Sequence, residues 1–140
     1  MSWFTWAIIT AVFYGIFDFF VKKTAGKVED GLAAFIINTV SAIVLVFYLL
    51  ISKYKGVKFF ASTEGIMYAT LGGIIIGLAS ITFIKVFSAG SLLSIGVSIV
   101  RVGMVLIAVT LGFIILQEKL QVKQLIGILT ALIGLRINPY

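Results

Sequence analysis

The sequence predicts an all-α integral membrane protein with five transmembrane helices. Three observations lead there. Hydrophobic residues make up 61% of the 140 residues and charged residues only 11%, against an apolar share of about 45–50% in soluble domains. Five apolar stretches, each long enough or nearly long enough to cross a bilayer, are joined by short connections that hold most of the Lys and Arg. The stretches are continuously apolar and about twice the ten-residue alternating segments of a transmembrane barrel, so length decides for helix.

Span 1 is expected over about residues 3–21. Trp3 and Trp6 suit the headgroup level at its start, Lys22, Lys23 and Lys27 close it, and Gly26 is a helix stop. Span 2 covers about 32–51, with Glu29 and Asp30 at the end where a helix dipole favours negative charge. Lys53, Lys55, Gly56 and Lys58 form the next loop. The apolar piece from Val57 to Ala61 is too short to cross. Span 3 covers about 66–86 and carries Gly72, Gly73 and Gly77, a GxxxG pattern that lets helices approach closely. Ser88-Ala89-Gly90-Ser91 forms the turn that follows. Span 4, about 92–116, is rich in small and polar residues: Ser94, Gly96, Ser98, Gly103, Thr110 and Gly112. Span 5, about 120–137, is the shortest, with Gly127, Ala131 and Gly134 near one face. No room is left for a soluble module, so residues 1–140 are expected to form one membrane domain.

If the five stretches cross in turn, the N-terminal side receives Lys53, Lys55, Lys58, Lys119 and Lys123, and the other side Lys22, Lys23, Lys27, Lys85 and Arg136. That is five against five, with Arg101 inside a span. Orientation follows the Lys/Arg excess of short loops. A chain with no excess has no electrostatic reason to choose one orientation, and many transporters combine two oppositely oriented copies of one fold.

The net charge of +6 does not indicate nucleic acid, because the Lys residues flank apolar spans. With no Cys and no His, zinc sites, thiol chemistry and imidazole relays are not expected. No nucleophile stands with a base, no acid pair recurs at fixed spacing, and Gly72-Gly73 lies inside an apolar span rather than in a phosphate loop. Neither an enzyme nor a cofactor is expected. No basic residue precedes Trp3 and the first apolar run is too long for a signal peptide's h-region, so a cleaved signal is not expected either.

Two charges lie within spans. A charge at mid-depth costs about 2.5–3.5 kcal/mol on insertion scales, so each must face a partner, water or a cavity. Asp18 follows about fifteen mostly apolar residues. Tyr14, Asp18 and Lys22 fall at i, i+4 and i+8 on one face, so Asp18 either pairs locally with Lys22 or faces a cavity as a proton or cation site. Arg101 has no acidic neighbour at i±3 or i±4. Its forked guanidinium suits a carboxylate, on another helix or on a substrate. Tyr14 and Phe17 would supply aromatic surface beside Asp18, and Asn38 and Ser98 polar contacts. Lys22 and Lys85 are candidate cavity or interface charges. The glycines of spans 3 and 5 are read as helix-packing residues.

The C-terminal half resembles the repeat of the drug/metabolite transporter superfamily, in its EamA-type branch. The carrying residues run from Ala89-Gly90-Ser91 through Ser94, Gly96, Ser98 and Arg101 to Leu116-Gln117-Glu118-Lys119, then through Gln124-Leu125-Ile126-Gly127 to Ile133-Gly134. Tyr14-Gly15 stands where many members have Trp-Gly, followed by a basic residue at the helix end. Two departures are visible: no Pro lies near Ser98, and Gln117-Glu118 replaces a Gly-Glu pair. The essential Glu of the small multidrug-resistance relatives maps near Tyr14 or Gly15, about one turn before Asp18, so the resemblance does not carry proton coupling to Asp18.

Most EamA-type transporters join two five-span repeats in one chain, whereas this chain resembles the single-repeat branch. The resemblance implies an antiparallel homodimer in the cytoplasmic membrane, with spans 1–4 around a central cavity and span 5 at the periphery. It implies a secondary transporter of a small metabolite or drug-like molecule working by alternating access. The partners expected are a second copy, membrane lipids and a small-molecule substrate. The alternative is a non-transporting membrane subunit that needs a different five-span partner, with Asp18 and Arg101 as a structural ion pair.

The charge balance makes a direct prediction. Single-Cys variants in the loop from Lys53 to Lys58 should react with an impermeant thiol reagent from both faces of the membrane in comparable amounts. Labelling from one face alone would contradict a dual orientation.

Overall fold

A computed structural model describes residues 2–118 together with Gly127, Thr130 and Gly134. Among the described residues are four helices long and apolar enough to cross a membrane: α1, Trp3–Thr24; α2, Asp30–Tyr54; α3, Thr63–Ser88; and α4, Leu93–Ile114. At 1.5 Å per residue they are about 33–39 Å long, against a hydrocarbon core of about 30 Å. Apart from Gly127, Thr130 and Gly134, which are helical, the fifth apolar stretch lies outside the described residues.

The first three helices start with their N–H groups capped by polar side chains. Ser2 accepts from the Thr5 N–H, Glu29 from the Leu32 N–H, and Ser62 from the Gly65 N–H. Each side-chain oxygen satisfies one of the N–H groups that a helix start leaves without an intrahelical acceptor. These caps bring Asp30, Gly31, Thr63, Glu64 and Gly65 into helices that hydropathy alone begins later. α4 starts without a side-chain cap, at Leu92.

The same three helices stop alike. One residue after each C-cap a glycine takes a left-handed conformation: Gly26 at φ +74°, Gly56 at +77° and Gly90 at +98°. A Cβ is disfavoured there, so the chain turns out of the helix where a glycine allows it. α4 ends differently. Gln117 has φ +54°, the Leu116 N–H donates to the Leu111 carbonyl at 3.4 Å, and the Glu118 N–H reaches back to the Gly112 carbonyl at 3.0 Å. Gly112 is buried, and a methyl group on it would lie 2.9 Å from a Glu118 carboxylate oxygen. The Glu118 side chain thus folds back over the last turn.

The chain divides into two compact units, residues 1–90 and 91–140. In the first, α3 packs against both α1 and α2. Its buried residues gather mainly at one end: Asp18 and Val21 late in α1, Ala33 and Ala34 early in α2, Ile84 and Phe87 late in α3. This is the end that carries Lys22, Lys23, Lys27 and Lys85. Toward the other end nearly every side chain is exposed, from Trp3 and Trp6 in α1 to Phe47 and Tyr48 in α2 and Ile66 and Met67 in α3. Such surface is stable against lipid or another protein, not against water. The Val57–Ala61 piece is non-helical and Phe60 is almost fully exposed, in accord with a segment too short to cross.

Many hydroxyls within the spans are satisfied on their own helices. The hydroxyls of Thr10, Ser41, Thr70, Ser80, Ser98 and Thr110 each donate to the carbonyl four residues earlier, at 2.6–2.8 Å. In hydrocarbon no water would take those protons.

The end of α4 yields a prediction. A non-glycine residue in the left-handed region costs about 1–2 kcal/mol. Gln117→Gly should therefore stabilise the protein by about 1 kcal/mol, read as a rise in Tm in detergent. An unchanged or lower Tm would refute the strain at this turn.

Candidate functional site

Asp18 is 3% exposed on a mostly apolar span. The α-helical repeat sets Tyr14 and Lys22 one turn to either side of it, with Phe17 adjacent. α3 supplies the facing surface. The ring of Phe17 stacks on that of Phe83, with centroids 6.4 Å apart and planes at 20°. Tyr14 meets Phe17 edge to face at 6.4 Å, and Phe83 meets Phe87 edge to face at 5.1 Å. The four rings form a ladder that begins on α1 and finishes on α3. Offset and edge-to-face pairs of this kind are worth about 0.5–1.5 kcal/mol each beyond the area they bury.

The ladder ends under a cation. The ammonium of Lys22, partly buried, lies 5.6 Å from the centroid of the Phe87 ring. Phe87 is itself 3% exposed, so this contact joins α1 to a buried ring of α3. Lys23 also covers a ring, that of Phe19 at 5.7 Å, but both of these residues are exposed and belong to the same helix.

A polar rim lies at the same end. The hydroxyl of Ser88, the last residue of α3, donates to a carboxylate oxygen of Asp30, the first residue of α2, at 2.6 Å. Glu29 caps α2 by accepting the Leu32 N–H at 2.7 Å. Hydrogen bonds from the Gly31 and Leu32 backbone hold the Glu29 carboxyl below its ordinary value of 4.5, and the nearby Lys85 ammonium adds to the effect. Lys85 thus stands near the rim, and the contact that joins α3 to the start of α2 there is the Ser88–Asp30 hydrogen bond.

The remaining sequence candidates lie as follows. Arg101 is in the second unit, partly buried, with a guanidinium N–H directed at the Met104 sulfur at 3.8 Å. Ser98 donates to the Ser94 carbonyl, and the Asn38 amide to the Ala34 carbonyl at 2.7 Å, so both side chains spend a donor on their own helix. A methyl group on Gly72, Gly73 or Gly77 would meet no atom within 4 Å, and the same holds for Gly127 and Gly134. The close-approach faces of these glycines are open among the described residues. No group of His, Cys, Asp and Glu that could hold a metal ion occurs among the described residues.

Phe83, Phe87 and the Asp30–Ser88 contact were not legible as site features in the sequence. The only available signal was the i, i+4 spacing of Phe83 and Phe87 beside Lys85, and many Phe pairs in apolar spans share it.

The profile of the EamA-like transporter family matches residues 1–138. The chain belongs to that family, and it is a membrane transporter of the drug/metabolite type with several membrane-spanning helices. No curated protein and no solved structure gives a significant match.

The rim yields a pH prediction. A carboxyl whose value is lowered on folding adds stability that is complete above its unfolded value and is lost as pH falls through the folded one. Glu29→Ala should lower Tm at pH 7, and the gap from wild type should narrow below about pH 4 as wild-type Glu29 protonates. A gap that is constant with pH would show that the charge of Glu29 contributes nothing.

Proposed function

We propose that the protein is a secondary transporter of the cytoplasmic membrane that moves a small metabolite or drug-like molecule by alternating access, as an antiparallel homodimer. The observation that carries this reading is Asp18, a carboxylate buried inside a span and flanked by an aromatic ladder. A charged group at that depth is expensive to maintain, and in transport proteins it marks a substrate or ion path. Membership of a transporter family supports the same reading.

The pairing rests on two features. The Lys and Arg residues divide five to five between the faces when the chain crosses five times, so neither orientation is favoured. Gly72, Gly73 and Gly77 leave a face of α3 open to close approach. Residues 1–140 would act as one repeat, and a second, inverted copy would supply the other half of the path. Asp18, Tyr14 and Phe17 would line it, with Arg101 offering a fork for a carboxylate and Asn38 and Ser98 further polar contacts.

Flux of a candidate solute into proteoliposomes holding only the purified protein tests this reading. Asp18→Asn and Arg101→Ala should each lower the flux at least tenfold while the protein still elutes as a monodisperse dimer. Flux that appears only after a second, different five-span chain is added would replace the homodimer by the subunit reading. Flux unchanged in both variants would remove these residues from the path.

A further inference from the structure

We propose that the site beside Asp18 takes an organic ammonium group, and that the side chain of Lys22 is a tethered stand-in which occupies the ammonium position over Phe87 until the ligand displaces it. The inference rests on the transporter reading and specifies the chemistry of its substrate.

Three observations carry it. The Lys22 ammonium stands over a ring that is itself buried, and it reaches that ring from another helix. The aromatic face is therefore shaped and positioned for a cation, and the chain supplies one of its own. That ring is the last of four in successive contact, so apolar aromatic surface runs from the cation position back along the face of α1 that holds Asp18. A ligand with an ammonium group at one end and an aromatic or alkyl body at the other matches both parts. Finally, Asp18 is buried one helical turn from Lys22. A buried carboxylate is costly unless a positive charge or a proton compensates it. A cationic ligand in the place of Lys22 keeps a positive charge near Asp18, whereas a neutral or anionic one does not.

The geometry also lets Lys22 leave. It lies in the last turn of α1 and is partly exposed. A flexible four-carbon stem there can carry its ammonium outward to the headgroups. The Lys23–Phe19 contact lacks this logic, because both groups are exposed and no buried acid accompanies them.

The test is calorimetric titration of the purified full-length protein with three probes of similar size: 2-phenylethylammonium, 2-phenylethanol and 3-phenylpropionate. A competitor that holds a site about nine-tenths of the time weakens apparent affinity about tenfold. Lys22→Gln should therefore bind the ammonium probe about tenfold more tightly than wild type, and Lys22→Arg, which keeps the charge, should resemble wild type. Phe87→Leu should weaken ammonium binding in the Lys22→Gln background, with thermal unfolding of every variant recorded to establish that it is folded. Ammonium binding that is unchanged or weaker in folded Lys22→Gln overturns the proposal. So does binding of the alcohol or the carboxylate as tight as that of the ammonium, and so does the absence of ammonium binding in every variant. Flux of anionic or neutral solutes without ammonium binding would sink this inference and leave the transporter reading standing. Ammonium binding tightened by Lys22→Gln, with no flux of any solute, would support the site and count against transport.

Discussion

Hydrocarbon offers no partner to a backbone N–H or C=O, and each described helix of this chain is shaped by that shortage. A spanning segment must satisfy its own polar groups, which fixes the helix as the only available form for runs of this length. Hydroxyls and amides inside the spans turn back to carbonyls of the preceding turn. At the helix ends Ser2, Glu29 and Ser62 take up N–H groups, and glycines let the chain leave in the left-handed conformation. The one described helix end without such a glycine is at Gln117, which takes the left-handed conformation itself.

Satisfying backbone groups within each helix leaves packing to side chains, and in the first unit these concentrate at one end. Small residues of α2, Ala33 and Ala34, let the helices meet there, and Ile84, Phe87 and Val21 fill the space. The polar rim of Glu29, Asp30, Lys85 and Ser88 closes over the same end. Asp18 and the aromatic ladder lie just beneath. The candidate site is thus built where the helices touch, while the opposite ends keep apolar surface that suits lipid or another protein.

Much of this was legible in the residues. Asp18 announced itself as a charge in an apolar run, and its spacing from Tyr14 and Lys22 follows from 3.6 residues per turn. Glu29 at the start of span 2 and Gly26 after span 1 were readable from capping chemistry. Phe83 and Phe87 were not, because the chain has twelve Phe residues and nearly all lie in similar apolar surroundings. Which of them meets α1 depends on how α3 is rotated and where it crosses. Hydropathy also placed the starts of α2 and α3 two or three residues late, since it scores polar caps as loop although they are what extends the helix.

By itself, then, the sequence determined the membrane setting, the helical form and the presence of charges within apolar spans, because each follows from composition and from a fixed helical period. Tertiary structure alone decided that Phe17 stacks on Phe83, that Lys22 covers Phe87, and that Ser88 binds Asp30. Those contacts join residues 58 to 66 positions apart in the chain. No local preference encodes such a meeting. It arises only when α3 turns one particular face toward α1 and α2, and that choice is made by shape complementarity summed over many side chains.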